Sequence, residues 1–258
     1  MELELTVSGF TERAVFDDDE IEALHRPLLR RLSRLAGDAP PPFIVLLAAT
    51  AGSGKSILAA FHEWLSQQDD DLLPAQALSI DGFHFPNDVM QRRTILREGR
   101  EQLMHDYKGA PESFDLAGLR EKMQALRCGE TVRWPLYDRN IHDPVEDAIV
   151  VTEPLLILEG NYVLLDAPGW RDLRDLANFG IFLEVDVDLT RERLRNRKLR
   201  GGYAGDRVEG HYARSDGPNT GLILGRRLPA DLTLVWRESG GRVGWREKTE
   251  GFHKKGRA

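Results

Sequence analysis

Apolar residues cluster in short runs that are separated by longer polar and helical stretches. The two most apolar runs, at residues 43–47 and 155–158, are rich in Val, Ile and Leu and predict buried strands. Further strands are predicted at 75–80, at about 180–185 and at 232–236. Strands at this spacing, with helical segments between them, favour one α/β domain, and a chain of 258 residues is long enough to build it.

The first forty residues precede the first buried run and carry a helical pattern. Apolar residues recur at spacings of three and four from Ile21 to Leu35, which predicts a helix with one apolar face. Acidic residues at 17–20 favour its start, and Gly37 with the prolines after it favours its end. Residues 2–7 alternate between apolar and polar and predict a short strand. We define residues 1–40 as an N-terminal extension.

Residues 87–150 are interpreted as an insertion between core strands. In order, the sequence predicts a polar helix at about 87–107, a second helix with apolar residues on one face from 116 to 126 and Ser113 or Asp115 as its cap, and two extended runs at 131–137 and 146–151. The polar loop between these runs carries Tyr137, Asp138, Arg139 and His142. These four residues are candidates for a substrate pocket, with an ordinary surface loop as the alternative.

The segment that follows the first buried run has the sequence Ala49-Thr50-Ala51-Gly52-Ser53-Gly54-Lys55-Ser56. A buried strand, a glycine-rich turn, Gly-Lys-Ser and a helix, in this order, predict a phosphate-binding loop. Small residues let backbone N–H groups surround phosphate oxygens, and the helix N-terminus adds its positive dipole end. Lys55 can reach the terminal phosphates and Ser56 can ligate Mg²⁺. The predicted nucleotide-binding residues are Ala51, Gly52, Ser53, Gly54, Lys55, Ser56 and Ile57.

One residue departs from the usual motif of this loop. Ala49 stands where the first glycine is expected. Alanine at a strand exit costs little if its φ angle stays negative.

Two carboxylates follow predicted strands, at the edge where open α/β sheets bind ligands. Asp81 follows the strand at 75–80 and can accept a proton from an attacking hydroxyl or hold Mg²⁺ through water. Glu159 follows the strand at 155–158 and fits a second magnesium-holding element. Each of them could instead cap a strand or turn. For His84, a substrate contact and a structural hydrogen bond are both open.

From residue 188 the chain becomes helical and basic. Residues 190–214 contain eight arginines and lysines against three acidic residues. Arg193, Arg197 and Arg200 share one face of the predicted helix. We interpret residues 188–216 as a lid whose arginines neutralise a transferring phosphoryl group, with a glycine pair at 201–202 as its hinge. The alternative is a solvated basic helix or a patch for an acidic partner.

The next residues, 216–219, predict a turn that brings Asn219 toward the nucleotide base. We define residues 41–240 as the nucleotide-binding domain and 241–258 as a C-terminal tail, in which the last five residues are expected to be disordered.

Composition narrows the class of protein. The net charge of −7 argues against a general nucleic-acid binder, which would usually be basic. The single cysteine, Cys128, cannot form an internal disulfide or a cysteine-based metal site. No stretch approaches the roughly 20 apolar residues of a membrane span. The acidic start lacks the features of a signal peptide, so we expect a cytoplasmic protein with no membrane partner.

The order of these motifs resembles that of the uridine kinase and bacterial pantothenate kinase group. The phosphate-binding loop, Asp81-Gly82-Phe83, Leu158-Glu159-Gly160 and the arginine helix follow one another as in this group. Residues 81–87 (DGFHFPN) and 108–115 (KGAPESFD) resemble the pantothenate kinase branch, and still more its shorter bacterial relatives. Pro135-Leu136-Tyr137-Asp138, with His142 nearby, is similar to the acceptor-side segment of uridine kinases. The resemblance spans about residues 40–235.

This resemblance implies a fold, a reaction and a set of residue roles. The fold would be a three-layer P-loop NTPase fold with a parallel sheet of five core strands and helices on both sides. MgATP would be the donor and a small-molecule hydroxyl the acceptor. Asp81 would be the base, Glu159 would hold magnesium through water, and Arg197 or Arg200 would be the lid cation. A homodimer is a further expectation, while the identity of the acceptor stays open among sugars, nucleosides and pantothenate-like alcohols.

Two other functions compete with a small-molecule kinase. A regulatory ATPase would hydrolyse ATP without a small acceptor and would need a partner surface. GTP specificity is disfavoured because the chain has no Asn-Lys-x-Asp signature. A catalytically inactive binding module would not need Lys55, Ser56, Asp81 and Glu159 together.

Overall fold

The computed structural model describes residues 1–7, 9–97, 99–200, 202, 204–239 and 242–248. Within these residues the strands are β1 (Glu2–Val7), β2 (Phe10–Val15), β3 (Phe43–Ala49), β4 (Ala75–Ser79), β5 (Thr94–Arg97), β6 (Arg100–Leu103), β7 (Arg133–Asp138), β8 (Asp143–Val150), β9 (Leu155–Gly160), β10 (Phe179–Glu184), β11 (Leu232–Ser239) and β12 (Arg242–Glu247). A six-stranded sheet in the order β12-β11-β10-β3-β9-β4 forms the centre, and three separate hairpins pair β1 with β2, β5 with β6 and β7 with β8.

The helices complete a three-layer arrangement. They are α1 (Asp18–Glu20), α2 (Arg26–Gly37), α3 (Lys55–Ser66), α4 (Asn87–Met90), α5 (Leu116–Arg127), α6 (Val187–Arg200), α7 (Gly205–His211) and α8 (Gly217–Gly225). π-Helical turns join α1 to α2 at Ile21–His25 and α7 to α8 at Tyr212–Asp216. None of the helices in the described residues combines the length and the apolar character that crossing a bilayer requires.

Five strands of the central sheet run parallel, as the resemblance implied. β9 lies between β3 and β4, and β10 lies between β3 and β11, all in parallel register. Every residue of β3 and β9 is buried, which their unbroken apolar sequences predicted. Successive side chains of β3 point to opposite faces, so Val45 and Leu47 enter one hydrophobic cluster and Ile44 and Leu46 the other.

The sixth strand corrects the predicted C-terminal boundary. β12 pairs antiparallel with β11 at the edge of the sheet, with Trp236 opposite Trp245. Trp245 is buried in the main hydrophobic cluster. Residue 241 is therefore the wrong place to begin a tail, because an aromatic residue at 245 anchors this segment to the core. Residues 249–258, including the predicted disordered end, lie outside the described residues.

The N-terminal extension packs on the sheet rather than standing apart from it. The predicted strand and helix are both present, and leucines of α2 are buried with the apolar face of α3. β2 was missed because its sequence, FTERAV, has three polar residues in a row and little apolar pattern. Its pairing with β1 instead buries Ala14 beside Leu5 in the main cluster.

The long polar helix predicted at 87–107 is wrong. Within the described residues of this segment the structure has one α-helical turn, α4, then the β5–β6 hairpin and a 3₁₀ turn at Met104–Tyr107. Gly99 has a φ of 73° at the turn of this hairpin, a conformation that suits glycine and ends a helix. Ile95 turns inward with Met90 and Met104 to form a small separate cluster. Gly99 is the residue in the sequence that indicates a turn here, and it separates β5 from β6.

The rest of the insertion follows the prediction. α5 is present, and Asp115 rather than Ser113 caps it, since its side chain accepts a hydrogen bond from the N–H of Gly118. The two extended runs pair as the β7–β8 hairpin. Trp134 of β7 is fully buried, and its indole N–H donates to the carbonyl of Ser79 at 2.9 Å. The hairpin is thereby fixed beside the end of β4.

The turn predicted at 216–219 is also wrong. The chain passes from the π-helical turn directly into α8, and Pro218 occupies its first turn, where a missing N–H is tolerated. The proline at this position lies in the first turn of a helix rather than in a loop. The glycine at 201 of the predicted hinge lies outside the described residues, whereas Gly202 has a φ of 85°.

A buried polar network joins the extension to the helix after the phosphate-binding loop. His25 Nδ1 lies 3.0 Å from His62 Nε2, and His25 Nε2 lies 2.9 Å from Glu20 Oε1. All three side chains are buried, and Arg246 of β12 lies 3.7 Å from the second oxygen of Glu20. Both imidazoles can be neutral if His62 donates to His25 and His25 donates to Glu20. Burial, and then the charge of His25, lower the pKa of His62 well below its ordinary value.

This network predicts a loss of stability in mild acid. Below a pH of about 6.5 the unfolded chain protonates His62 while the folded chain does not. The contribution of His62 to the free energy of unfolding should therefore be constant above that pH. Below it, the free energy of unfolding should fall by up to about 1.4 kcal/mol per pH unit. Urea unfolding at a series of pH values measures this slope. His62→Gln should reduce it and the exposed control His105→Gln should not; equal slopes in all three proteins would contradict the assignment.

Candidate active site

The predicted strand, glycine-rich loop and helix are present in that order. β3 ends at Ala49, and residues 50–54 lead directly into α3. Gly52 and Gly54 have φ angles of 80° and 91°, which glycine adopts without strain. A Cβ at Gly52 would lie 2.7 Å from the carbonyl oxygen of Thr190 in α6, so this glycine also lets the lid helix approach the loop closely.

The alanine at the start of the motif causes no strain. Ala49 is the last residue of β3, where it is buried and pairs with Leu183 of β10. Its φ angle is not positive. The conformation that would require a glycine therefore begins only after this position, as the sequence analysis anticipated.

Three predicted residues of the loop and of β9 come together. Ser56 Oγ donates to Glu159 Oε1 at 2.8 Å, and Lys55 Nζ lies 3.7 Å from Glu159 Oε2. Glu159 is only 3% exposed, and its Oε2 accepts no hydrogen bond in the described part of the chain. A buried carboxylate oxygen without a hydrogen bond is costly, so this atom is suited to a cation or to a water that the cation holds.

The donor set fits magnesium. Hydroxyl and carboxylate oxygens are the protein ligands that Mg²⁺ prefers, and Ser56 and Glu159 supply both. Among the described residues no group of three His, Cys, Asp or Glu side chains could hold a metal ion by itself. This agrees with the usual arrangement in which one or two protein groups bind Mg²⁺ and nucleotide phosphates and water provide the other ligands.

Asp81 lies on a 3₁₀ turn, Ile80–Phe83, directly after β4. Ser79 Oγ accepts the backbone N–H of Asp81 at 3.2 Å, which fixes the turn. Burial raises the pKa of this half-buried carboxyl, but nearby cations more than offset the effect, so its pKa lies below the ordinary value. The charges that lower it are, in order of effect, His84 when its ring is protonated, and then Lys55, Arg139 and Arg197. Asp81 is therefore ionised at neutral pH, within the electrostatic field of the loop lysine.

His84 makes the structural hydrogen bond that the sequence analysis left open. Its Nδ1 donates to the carbonyl of Asp81 at 2.8 Å. Its ring centroid lies 3.9 Å from that of Phe114 and 5.4 Å from that of Tyr137. Burial lowers the pKa of His84, although the charge of Asp81 partly opposes this shift. With Nδ1 committed as a donor, the neutral ring keeps Nε2 as an acceptor beside Tyr137.

Lys108 belongs to this side of the cleft, and the sequence analysis gave it no role. Its ammonium lies 5.1 Å from the centre of the Tyr137 ring and donates to Asn87 Oδ1 and to the carbonyl of His142. Burial lowers its pKa, with Asp143 opposing the shift. The segment KGAPESFD, at residues 108–115, resembles the pantothenate kinase branch, and its lysine is the residue in it that could have indicated a contact with the site.

Helix α6, which lies in the segment interpreted as a lid, reaches the phosphate-binding loop. Arg193 Nη1 lies 3.5 Å from the carbonyl of Ser53, and its guanidinium lies over the ring of Trp236. Arg197 is one turn further along α6 and acts on Asp81. Arg200 is exposed in the last turn. Arg193 was placed on the correct helical face by its spacing but was not selected as a site residue.

Some predicted residues have structural partners instead of facing the cleft together. Asp138 Oδ1 accepts from the backbone N–H and side-chain amide of Asn140, so it stabilises its own loop. His142 is exposed and has a φ of 54°. Its backbone carbonyl accepts hydrogen bonds from Asn87 and Lys108, so the loop is held by its main chain. Asn219 is buried on α8, where its amide donates to the carbonyl of Gly109 and to Ser215 Oγ. Ile57 packs against the main hydrophobic cluster.

The close contact beneath Asp81 gives a testable prediction. A Cβ at Gly82 would lie 2.2 Å from the carbonyl oxygen of Pro135, on the rigid β7 strand. Gly82→Ala should therefore push the Asp81 turn and the β7–β8 hairpin apart and lower the free energy of unfolding by about 1–3 kcal/mol. Denaturant unfolding measures this loss. Gly221→Ala is the control, because a Cβ there meets nothing within 4 Å; equal stability of the two variants would refute the contact.

Comparison with known proteins places these features in a family. The sequence model of the Phosphoribulokinase / Uridine kinase family matches residues 44–216, which is more than half of the chain. The uncharacterized protein YggC of Escherichia coli (strain K12) is 41% identical over 241 residues, covering 93% of this chain and 98% of YggC. A provisionally named uridine kinase of Schizosaccharomyces pombe (strain 972) is 31% identical over 201 residues, covering 74% of this chain and 82% of that protein.

The chain also matches pantothenate kinases and spans about half of their length. A crystal structure from Silicibacter sp. TM1040, provisionally described as a fructose transport system kinase, superimposes with a TM-score of 0.71. It is 36% identical, and the match covers 83% of this chain and 98% of that one. Since the family model covers the loop, Asp81, Glu159 and the lid helix, the chain belongs to the phosphoribulokinase/uridine kinase family.

Proposed function

We propose that this protein transfers the γ-phosphoryl group of MgATP to a hydroxyl group of a small metabolite, with Asp81 as the general base. The observation that carries the proposal is the position of Asp81. This ionised carboxylate follows the strand next to β9, and Lys55 and Arg197 both act on it. A carboxylate beside the phosphate-binding lysine is where an acceptor hydroxyl must lose its proton as it attacks the terminal phosphorus.

The charges around Asp81 suit this role once the nucleotide is bound. Lys55 and Arg197 lower the pKa of Asp81 in the free protein. Triphosphate oxygens would take up these cations and add negative charge, so the pKa of Asp81 would rise toward the range useful for a base. The base would thereby be a better proton acceptor in the complex than in the empty cleft.

The phosphate side of the cleft would hold the nucleotide through the loop. Backbone N–H groups of residues 51–57 and the N-terminus of α3 would surround the phosphates, and Lys55 would neutralise the terminal ones. Ser56 and Glu159 would hold Mg²⁺, which supplies charge neutralisation at the phosphates. Arg197 would stabilise the transferring group from the lid, with Arg200 as the second candidate. A contact of Asn219 with the nucleotide would require its present hydrogen bonds to be exchanged.

The acceptor would bind between Asp81 and the β7–β8 hairpin. Tyr137 and His84 offer a ring and a hydrogen-bond acceptor, and Arg139 adds a cation. Asp138 and His142 would border this pocket. Names of the relatives suggest acceptors to test, namely uridine, pantothenate and fructose.

The function is tested by release of ADP in the presence of candidate acceptors. Purified protein with MgATP would be given uridine, pantothenate, fructose and a wider panel of metabolite alcohols in turn. We expect turnover that depends on one chemical class of alcohol. Steady ADP release that no alcohol changes would favour the regulatory ATPase, and no effect of ATP or Mg²⁺ at all would refute both.

Asp81→Asn removes the base but keeps the size of the side chain. We expect phosphoryl transfer to fall by about 10²–10⁴-fold, the usual contribution of a general base, while MgATP binding changes little. Transfer rate and nucleotide affinity are measured separately. Asp88→Asn, an exposed aspartate on α4 that pairs with Arg92, is the matched control. Wild-type transfer by Asp81→Asn would remove Asp81 from the mechanism.

Glu159→Gln tests the metal site. The hydrogen bond from Ser56 can be kept by the amide oxygen, but the negative charge is lost. We expect the Mg²⁺ concentration for half-maximal activity to rise about 10–100-fold, as for other groups that support a metal. A magnesium titration at saturating ATP measures this, with Glu130→Gln as an exposed control. An unchanged magnesium requirement would exclude Glu159 from holding the metal.

A further inference from the structure

A cavity of about 500 Å³ opens at the surface between α8 and the segments that follow β6 and β9. Its floor consists of buried apolar side chains, among them Phe114, Leu165 and Trp170, and Leu222 of α8 lies on one side. Its lining shares no residue with the phosphate-binding loop, the Asp81 turn or the β7–β8 hairpin. Cavities of this volume that are lined mainly by apolar and aromatic side chains are typical of sites for one small molecule.

Residues 108–114 contact both this cavity and the side of the cleft proposed for the acceptor. Lys108, at the start of the segment, lies 5.1 Å from the centre of the Tyr137 ring. Pro111, Glu112 and Phe114, further along it, line the cavity. A molecule in the cavity would therefore contact a segment that also borders the proposed acceptor pocket.

Ring contacts connect the floor of the cavity to the turn that carries Asp81. The ring centroids of Trp170 and Phe114 lie 5.6 Å apart, and those of Phe114 and His84 lie 3.9 Å apart. His84 Nδ1 in turn donates to the carbonyl of Asp81 at 2.8 Å. Phe114 thus packs against the cavity wall through Trp170 and against the Asp81 turn through His84.

The main chain makes the same connection. The N–H of Phe85 donates to the carbonyl of Ser113 at 2.9 Å, and the N–H of Asp115 donates to the carbonyl of Phe83 at 2.7 Å. Residues 83–85 and 113–115 therefore form a short antiparallel ladder, centred on the bridge between positions 84 and 114. A ligand that holds Phe114 in place would also hold the backbone that follows Asp81.

The charged groups of the cavity favour an anion. Arg97 Nη2 donates to Glu112 Oε2 at 2.6 Å, so the one carboxylate of the lining is already paired. Arg226, at the end of α8, is exposed and forms no ion pair within 4 Å in the described part of the chain. Two guanidinium groups against one carboxylate give the lining a net positive charge. A guanidinium group is well suited to bind a carboxylate, sulfonate or phosphate.

We propose that this cavity is a second binding site, which takes a small anion with an aromatic or other apolar body and, when occupied, stabilises the turn that carries Asp81. The apolar body would lie on Phe114 and Trp170, and Arg226 would bind the anionic group. Only the consequence for Asp81 as a base rests on the proposed function, because binding and the order of the turn are measured without nucleotide or acceptor.

Anilinonaphthalene sulfonate is a suitable probe, since it joins an aromatic body to an anionic group and fluoresces in apolar surroundings. Titrated into the full chain, it should bind at one site per chain. Leu222→Trp fills the cavity and should abolish binding, whereas Leu224→Trp, at an exposed position of the same helix, should not. Equal binding by wild type and Leu222→Trp would place the probe elsewhere and overturn the proposal.

Arg226→Gln tests the preference for an anion and changes only an exposed side chain. It should weaken binding of the sulfonate about three- to ten-fold, the size expected for one partly exposed charge-assisted contact. The affinity for phenylnaphthylamine, a neutral analogue, should not change. Arg34→Gln, at an exposed position of α2, is the matched control. Equal losses for the two probes, or no loss for the sulfonate, would overturn the assignment of an anion.

Hydrogen exchange tests the connection to the Asp81 turn. With the sulfonate at about ten times its dissociation constant, peptides of residues 81–85 and 111–115 should exchange up to about tenfold more slowly in wild type and no more slowly in Leu222→Trp. Unchanged exchange at 81–85 in the occupied wild type would overturn the connection. Sedimentation that shows a dimer, dissociated by the probe, would assign the cavity to a second copy of the chain instead. Absence of turnover with every alcohol would count against the proposed function and leave this site standing.

Discussion

The register of β9 between β3 and β4 is the constraint on which the site depends. Glu159 pairs with Leu47 on one side and with Ser79 on the other. This pairing places its carboxylate beside Ser56, which follows β3, and puts the turn that carries Asp81 next to it, after β4. A shift of β9 by one residue would turn Glu159 to the opposite face of the sheet and leave the loop serine without its partner. The buried apolar side chains of β9 fix this register, so the hydrophobic core also determines where the carboxylate proposed to hold the metal lies.

The parts of the site that could be predicted are those tied to strand ends. Lys55, Ser56 and Asp81 follow predicted strands and Glu159 lies at the end of one, and parallel strands bring such residues to one edge whatever lies between them. The polar segments could not be predicted in the same way. The turn of the β5–β6 hairpin depends on one glycine at position 99, and α8 begins at Gly217 with Pro218 in its first turn, a sequence that also suits a turn. In both cases tertiary packing decides between structures that local sequence leaves nearly equal.

Side chains that act through geometry were the hardest to foresee. Arg193 and Lys108 reach the site because α6 and the segment after β6 fold back over it. Their sequence signals, a helical spacing and a family-like segment, do not specify that contact. Conversely, Asp138 and Asn219 have the chemistry of site residues but spend their hydrogen bonds on nearby backbone or side chains. Residue type determines which hydrogen bonds a side chain can form. The fold determines whether its polar atoms already have partners.

The two ends of the cleft differ in how they are held. The nucleotide end is built from β3, β9 and α3, which are buried and belong to the segment that the family model covers. The end proposed for the acceptor is built from hairpins with exposed turns, one of which precedes that segment. Rigid support would suit the phosphates of the proposed donor, because phosphate geometry does not vary. Hairpins can change length and charge without disturbing the sheet, so selection among acceptors can reside in them. Gly9 borders the loop of Arg139, so the first strands touch a loop that is proposed to line the acceptor pocket, whereas Lys55 and Ser56 lie on α3 and Glu159 on β9.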